Sequence, residues 1–186
     1  GLTRVASPPL LRAGVGEGPP ARLSPRSSDD NRPDVSPRSV QAREVPQVVT
    51  SRWNLADGYT LDRYRETGGY TALAKALDEM TPAQVTEQVK GASLLGRGGA
   101  GFPAGVKWGF CPPGVWPRYI VVNADESEPG TYKDRVLMER DPHQLIEGCL
   151  IACYAAGLSQ CFLYVRGEMA LAHERVAAAL DEAYAA

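Results

Sequence analysis

The chain has 186 residues, with 20 Lys and Arg against 22 Asp and Glu, a formal net charge of −2 and a hydrophobic fraction of 44%. That size and apolar content suit one domain with its own core, while the near-neutral balance offers no basic face for nucleic-acid phosphates and so excludes DNA and RNA as expected partners. No window approaches the roughly 18 to 20 uninterrupted apolar residues of a membrane helix, and residues 1–30 lack the apolar centre of a signal peptide, so an intracellular chain without membrane insertion is expected.

Residues 1–46 are dominated by Pro, Arg, Ser and Gly, as in Ser7-Pro8-Pro9 and Ser24-Pro25-Arg26-Ser27-Ser28. Without a periodic apolar pattern they cannot bury enough surface to offset their ordering entropy, and a disordered extension is expected. Its basic residues are all Arg, as in a transit peptide, but Asp29, Asp30 and Asp34 oppose that reading. From Trp53 the character changes. Short helices are expected at 60–66 and 70–79, separated by the breaker pair Gly68-Gly69. Thr81 before Pro82 is an N-cap with proline at the first helical position, and that helix runs toward Ser93. Residues 47–93 thus form a helical segment, and 94–186 a second region.

In that region Tyr119-Ile120-Val121-Val122 reads as a short buried strand. Asp141-Pro142 opens a helix with the apolar stripe Leu145, Ile146, Cys149, Leu150 and Cys153, ended by Gly157. Cys161-Phe162-Leu163-Tyr164-Val165 reads as a second strand, followed by a helix from about Met169 carrying Leu171, Val176, Leu180 and Tyr184. Strand, helix, strand, helix implies an α/β unit with a parallel sheet.

Two constellations carry the chemistry. The first is Gly96-Arg97-Gly98-Gly99-Ala100-Gly101-Phe102-Pro103-Ala104-Gly105, with five glycines in ten positions. Such a run lets backbone amides approach a ligand that side chains would keep away. Gly96, Gly98 and Gly101 match G-x-G-x-x-G, but here the run follows a helix rather than a strand, so it does not read as a dinucleotide fingerprint. Arg97 and Lys107 add cations, and Phe102, Trp108 and Phe110 add flat apolar faces, which together suit a ligand with both phosphate and aromatic rings. The second constellation is Asn123-Ala124-Asp125-Glu126-Ser127-Glu128-Pro129-Gly130, directly after the first strand, where open parallel sheets place ligands. Its carboxylates would repel phosphate and are matched instead to hydroxyls and ring N–H groups.

These two stretches, with Gly105-Val106-Lys107-Trp108 between them, closely resemble the FMN-binding signatures of the NADH-oxidising flavoprotein subunit of respiratory complex I. The resemblance runs from about Trp53 to Ala186 and includes Tyr132-Lys133-Asp134-Arg135, Leu145-Ile146-Glu147-Gly148 and Tyr164-Val165-Arg166-Gly167-Glu168. It implies a Rossmann-like, incomplete FMN-binding domain. By the same resemblance Gly96, Arg97, Gly98 and Gly99 line the flavin, Lys107 contacts it, and Asn123, Asp125 and Glu126 hydrogen-bond it. Phe102 and Phe110 match aromatics that sandwich the NADH adenine, and Glu128 matches a carboxylate at the nicotinamide end. The implied chemistry is hydride transfer from NADH to FMN, with electrons passing through iron-sulfur centres toward quinone.

The same resemblance implies the small 2Fe-2S subunit and the large iron-sulfur subunit as partners, and a peripheral place on the cytoplasmic face of the inner membrane. The family's later motifs, including the Ser-Cys-Gly-x-Cys-x-x-Cys segment that binds a 4Fe-4S cluster, are absent and are expected beyond Ala186; the chain reads as an N-terminal fragment, inactive by itself. NAD-linked hydrogenases and formate dehydrogenases have flavoprotein subunits with both loops, and form the nearest alternative. A truncated, non-catalytic flavin-binding fragment is an alternative of another class. Cys111, Cys149, Cys153 and Cys161 lack the tight spacing of an iron-sulfur site and read as reduced thiols packed in apolar stretches. Neither His143 nor His173 has a partner at metal spacing, and no metal is assigned.

Overall fold

Where the sequence supplies both a helix start and a side chain to close it, a helix forms. In the computed structural model, which describes residues 47–112 and 114–186, Thr60 caps α1 (Leu61–Glu66) by accepting from the Arg63 amide. After the Gly68-Gly69 break comes α2 (Thr71–Glu79). Gly69 is required at that break, because a β-carbon there would lie 2.1 Å from the Tyr64 ring. α3 (Pro82–Gly91) opens on a reciprocal capping box: the Gln84 amide donates to the Thr81 hydroxyl and the Thr81 amide to the Gln84 side chain. The expected disorder of 1–46 falls on residues outside those described.

A five-residue helix, α4 (Ala104–Trp108), follows Pro103. It lies hard against α3, since a β-carbon on Gly105 would sit 2.7 Å from the Lys90 backbone nitrogen. The strand β1 (Tyr119–Ala124) then pairs in parallel with β2 (Gln160–Val165), in register from Tyr119↔Gln160 to Ala124↔Val165. Two helices fill the crossover, α5 (Lys133–Arg140) and α6 (Pro142–Ala156), and α7 (Ala170–Ala185) follows β2. The class is therefore α/β with a small parallel sheet. α6 closes as expected at Gly157, which takes φ +61° while the amides of Gly157 and Leu158 reach back to the Tyr154 and Cys153 carbonyls.

The structure differs from the sequence reading in three places. β1 continues to Ala124 rather than ending at Val122, so Asn123 is still paired, opposite Tyr164. The strands are also not buried on both faces: Val121 and Tyr164 are 66% and 64% exposed, whereas Ala124, Leu163 and Val165 face a core with Met138, Met169, Ala172 and Val176. All helices in that core cover one face, and the alternation of a strand sends every second side chain to the other. Finally, α4 and α5 have no periodic apolar signal. α5 buries only Met138, and its start is closed from outside by a residue eight positions before Asp134, described below.

Helices α1 and α2 are joined to α6 and α7 by buried polar contacts. Glu147 accepts from the Tyr64 hydroxyl and from the amides of Tyr70 and Leu73. His143, fully buried, bridges the Tyr70 hydroxyl at 2.9 Å and the Glu182 carboxylate at 2.9 Å. Arg52 pairs with the equally buried Asp141 at 2.8 Å. With its carboxylate enclosed, Glu147 can remain in the interior only because three donors satisfy it.

Candidate functional site

Among the described residues, the glycine run is a loop pinned at its base by backbone bonds. The Gly96 amide donates to the Phe102 carbonyl at 2.9 Å and the Ala104 amide to the Leu94 carbonyl at 2.8 Å, around an isolated bridge between Leu95 and Pro103. Gly99 has φ +120°, a conformation L side chains rarely adopt, and a β-carbon on Gly98 or Gly99 would meet no protein atom within 4 Å. The glycines therefore keep space open toward the outside of the loop rather than permitting tight internal packing.

The acidic stretch is organised by its side chains. Asn123 accepts from the Asp125 amide at 3.0 Å, an Asx turn that bends the chain as it leaves β1. Ser127 donates to Asp125 at 2.6 Å. Glu128-Pro129-Gly130-Thr131 forms a turn closed by the Thr131 amide on the Glu128 carbonyl, with Gly130 at φ +78°, the pattern of a type II turn. Glu126 points inward: its carboxylate accepts from the amides of Asp134 and Arg135, each at 3.0 Å, and lies 3.6 Å from the Lys133 ammonium. Burial alone would raise this carboxyl's pKa; the two amides and Lys133 outweigh it and hold the group below the ordinary carboxylate value.

These two loops meet. Arg97, Gly98 and Gly99 from the first, and Asn123, Asp125, Glu126 and Glu128 from the second, line a single cleft of about 500 Å³ at the carboxyl end of β1. That volume lies within the roughly 300–1,000 Å³ of small-molecule sites. The cleft shares Arg97, Gly98 and Asn123 with a smaller cavity of about 240 Å³ floored by Val122, Leu137, Met138 and Leu145, so a polar rim adjoins an apolar base. Thr131, Lys133 and Asp134 complete the wall. Sequence reasoning named none of the three as site residues; only the position of Lys133 and Asp134 in the Tyr132-Lys133-Asp134-Arg135 stretch could have suggested them. Lys133 is bonded to Asp134 at 2.5 Å, while among the described residues Arg97 lines the cleft from the glycine side.

The remaining expected residues stand elsewhere. The Gly96 amide is used within the loop, and Lys107 is exposed on α4. Phe102 and Phe110 are a tilted pair with ring centroids 5.8 Å apart, both exposed; neither lines the cleft. Among the described residues no group of three or more His, Cys, Asp or Glu is arranged to hold a metal ion, and both ring nitrogens of His143 are engaged, by Tyr70 and Glu182. The cysteines are free and half-buried. Cys149, Cys153 and Cys161 line an apolar groove between α6 and β2, where burial pushes the Cys149 thiol up to about 12. No helix among the described residues is long and apolar enough to cross a membrane.

Residues 89–186 match the family model of the Nuo51 FMN-binding domain. Among curated relatives, an NADH-quinone oxidoreductase subunit of Rhizobium meliloti (strain 1021) is 52% identical over 138 residues, covering 74% of this chain and 33% of the relative. The corresponding NADH-quinone oxidoreductase subunit of Aquifex aeolicus (strain VF5) is 49% identical over 144 residues, 77% of this chain and 34% of the relative. The chain spans about a third of the length of these relatives. A solved NAD+-reducing [NiFe]-hydrogenase in the air-oxidized state aligns over 73% of this chain and 23% of its own, with a TM-score of 0.50 and 33% identity.

Proposed function

The chain belongs to the Nuo51 FMN-binding domain family, and we propose that it supplies part of the FMN- and NADH-binding site of an NADH:quinone oxidoreductase flavoprotein subunit. The observation that carries this reading is the convergence of the glycine loop and the acidic loop on one cleft at the end of β1. FMN has a single phosphate, a hydroxylated chain and a ring system with N–H and carbonyl edges. The residues present fit it: open glycine amides and Arg97 on one side suit the anionic end, and the Asn123 and Asp125 side suits hydroxyls and N–H groups. When bound, FMN supplies the hydride acceptor.

The protein's own residues then bind and orient. Arg97, Gly98 and Gly99 hold the flavin from the glycine side, Gly96 closes the base of that loop with Lys107 beyond it on α4, and Asn123 and Asp125 accept from the flavin on the other side. Glu128, carried on the type II turn and lining the same cleft, is placed for the nicotinamide end of NADH. The exposed Phe102–Phe110 pair offers flat apolar surface for the adenine. In the full enzyme, electrons pass to iron-sulfur partners, the small 2Fe-2S subunit and the large iron-sulfur subunit, from a peripheral position on the cytoplasmic face of the inner membrane.

The deciding experiment is a titration of the chain with FMN followed by flavin fluorescence, with NADH reduction of the bound flavin read in the assembled enzyme. Saturable uptake of FMN by the chain is expected; absence of saturable uptake overturns the reading. The likeness to a NAD+-reducing hydrogenase favours one alternative within the same chemistry. Co-purification from native cells separates them: iron-sulfur subunits of a quinone reductase on one side, a nickel-containing subunit on the other.

A further inference from the structure

In the acidic loop, carboxylates that look equivalent in sequence are not equivalent in space. Asp125 and Glu128 are exposed at the cleft. The Glu126 side chain is only 2% exposed, which leaves almost no surface for a ligand to touch, and both its oxygens are engaged by the first residues of α5. α5 needs such a partner. Its own N-cap residue, Tyr132, makes no side-chain capping bond, and the first amides of a helix have no partner within it. A carboxylate is the acceptor best suited to them, because it satisfies the amides and meets the positive end of the helix dipole together.

We propose that Glu126 is a positioning residue that acts through α5: by capping that helix from the end of β1 it closes the loop 125–132, and so fixes where Asp125, Glu128 and Lys133 stand around the flavin. The inference rests on the FMN reading above and departs from it in one respect, taking Glu126 off the list of residues that touch the flavin. Its physical basis is connectivity. Residues 126 and 134 are the two ends of the loop that bears the cleft's acidic wall, and the Glu126–Asp134 bonds are the tie between them. Lys133 adds a second tie, reaching both Glu126 and Asp134. Cutting the first tie frees the wall while removing a side chain that is almost wholly enclosed behind the cleft.

The test uses the full chain and its Glu126→Gln and Glu126→Ala variants. Amide hydrogen exchange is read at Asp134 and Arg135, FMN affinity by fluorescence titration, and the absorption spectrum of bound FMN at saturation. The Ala variant should lose protection at both amides and bind FMN about tenfold more weakly, the size expected for one charged hydrogen-bonding group. The Gln variant, which keeps one acceptor oxygen, should be intermediate in both. Any shift of the bound-flavin absorption maxima should accompany that loss of protection, because the wall moves with the cap. If affinity falls or the spectrum shifts while both amides remain protected, Glu126 touches the flavin and the proposal is overturned. Wild-type chain that takes up no FMN would instead overturn the proposed function, while exchange at the two amides would still report on the cap.

Discussion

The two loops around the cleft are built by opposite means. Between Leu94 and Ala104 the chain is held by backbone bonds at the loop's base, most of its residues are exposed, and among the described residues no side-chain hydrogen bond ties its tip to the body. Between Asn123 and Asp134 side chains do the work: an Asx turn, the Ser127–Asp125 bond, the type II turn and the Glu126 cap. One loop owes its form to missing side chains, the other to bonds among those present. A substitution in the first should therefore act on the ligand with little effect on the fold, and a substitution in the second should act on both.

The sharpest break of that contrast is Gly99→Val. At φ +120° a β-branched residue is strained, and its side chain enters space that no protein atom fills. Purified protein should lose nearly all bound FMN, by absorbance per mole of chain, while its secondary structure by circular dichroism is unchanged. Normal FMN content would remove the glycine loop from the site. Next in size is Glu126→Ala, expected to cost about 1–3 kcal/mol of stability in denaturant unfolding, as for other buried charged hydrogen-bonding groups. No measurable change in the unfolding midpoint would show that the cap is idle.

Acid sharpens the contrast further. The folded-state value of Glu126 is depressed relative to its ordinary 4.5, so its contribution is fully present above that ordinary value and is lost as pH falls through the depressed one. Protection of the Asp134 and Arg135 amides should decline over that acidic window. The Glu126→Gln variant should lack the transition, and a wild-type profile that is flat down to the acid unfolding of the whole chain would contradict the assignment.

Glu128→Gln is expected to have a smaller, more specific effect. Bound FMN should remain, while the ratio of NADH to NAD+ affinity changes by roughly two- to tenfold in steady-state kinetics of the assembled enzyme. Loss of FMN with unchanged nucleotide kinetics would place Glu128 on the flavin. Smallest is removal of 1–46, whose composition cannot support a core: limited proteolysis should cut there first and leave FMN affinity within about twofold. Protection of that stretch equal to the residues after Trp53 would move the boundary.

The contrast also explains what could be read from the letters. Helices with caps, such as Thr81-Pro82 with Gln84, and strands with aromatic and β-branched residues, such as β2, announce themselves by local chemistry. α5 does not, because its start is completed by Glu126 across the intervening loop, a contact that no local pattern encodes. Likewise the letters group Asp125 and Glu126 as flavin acceptors, with Glu128 set at the nicotinamide end, and only the turn of the chain at Asn123 separates Glu126, which faces inward. The glycine loop reads as a candidate ligand loop because its information is compositional. The open face of β1, with Val121 exposed, runs against the reading of that strand as buried, because apolar β-branched residues look the same on either side of a strand.

What ties these observations together is the claim that both loops hold one flavin, and its most direct test is a comparison of FMN with riboflavin, which lacks the phosphate, on three forms of the chain. Dissociation constants are read by fluorescence quenching for wild type, Arg97→Ala and Asp125→Ala. A shared site requires Arg97→Ala to weaken FMN by about tenfold or more with riboflavin nearly unaffected, because a lost charge-assisted bond to phosphate is of that size, and requires Asp125→Ala to weaken both flavins alike. If Asp125→Ala leaves both constants unchanged, or Arg97→Ala weakens riboflavin as much as FMN, the two loops do not hold the flavin between them as described.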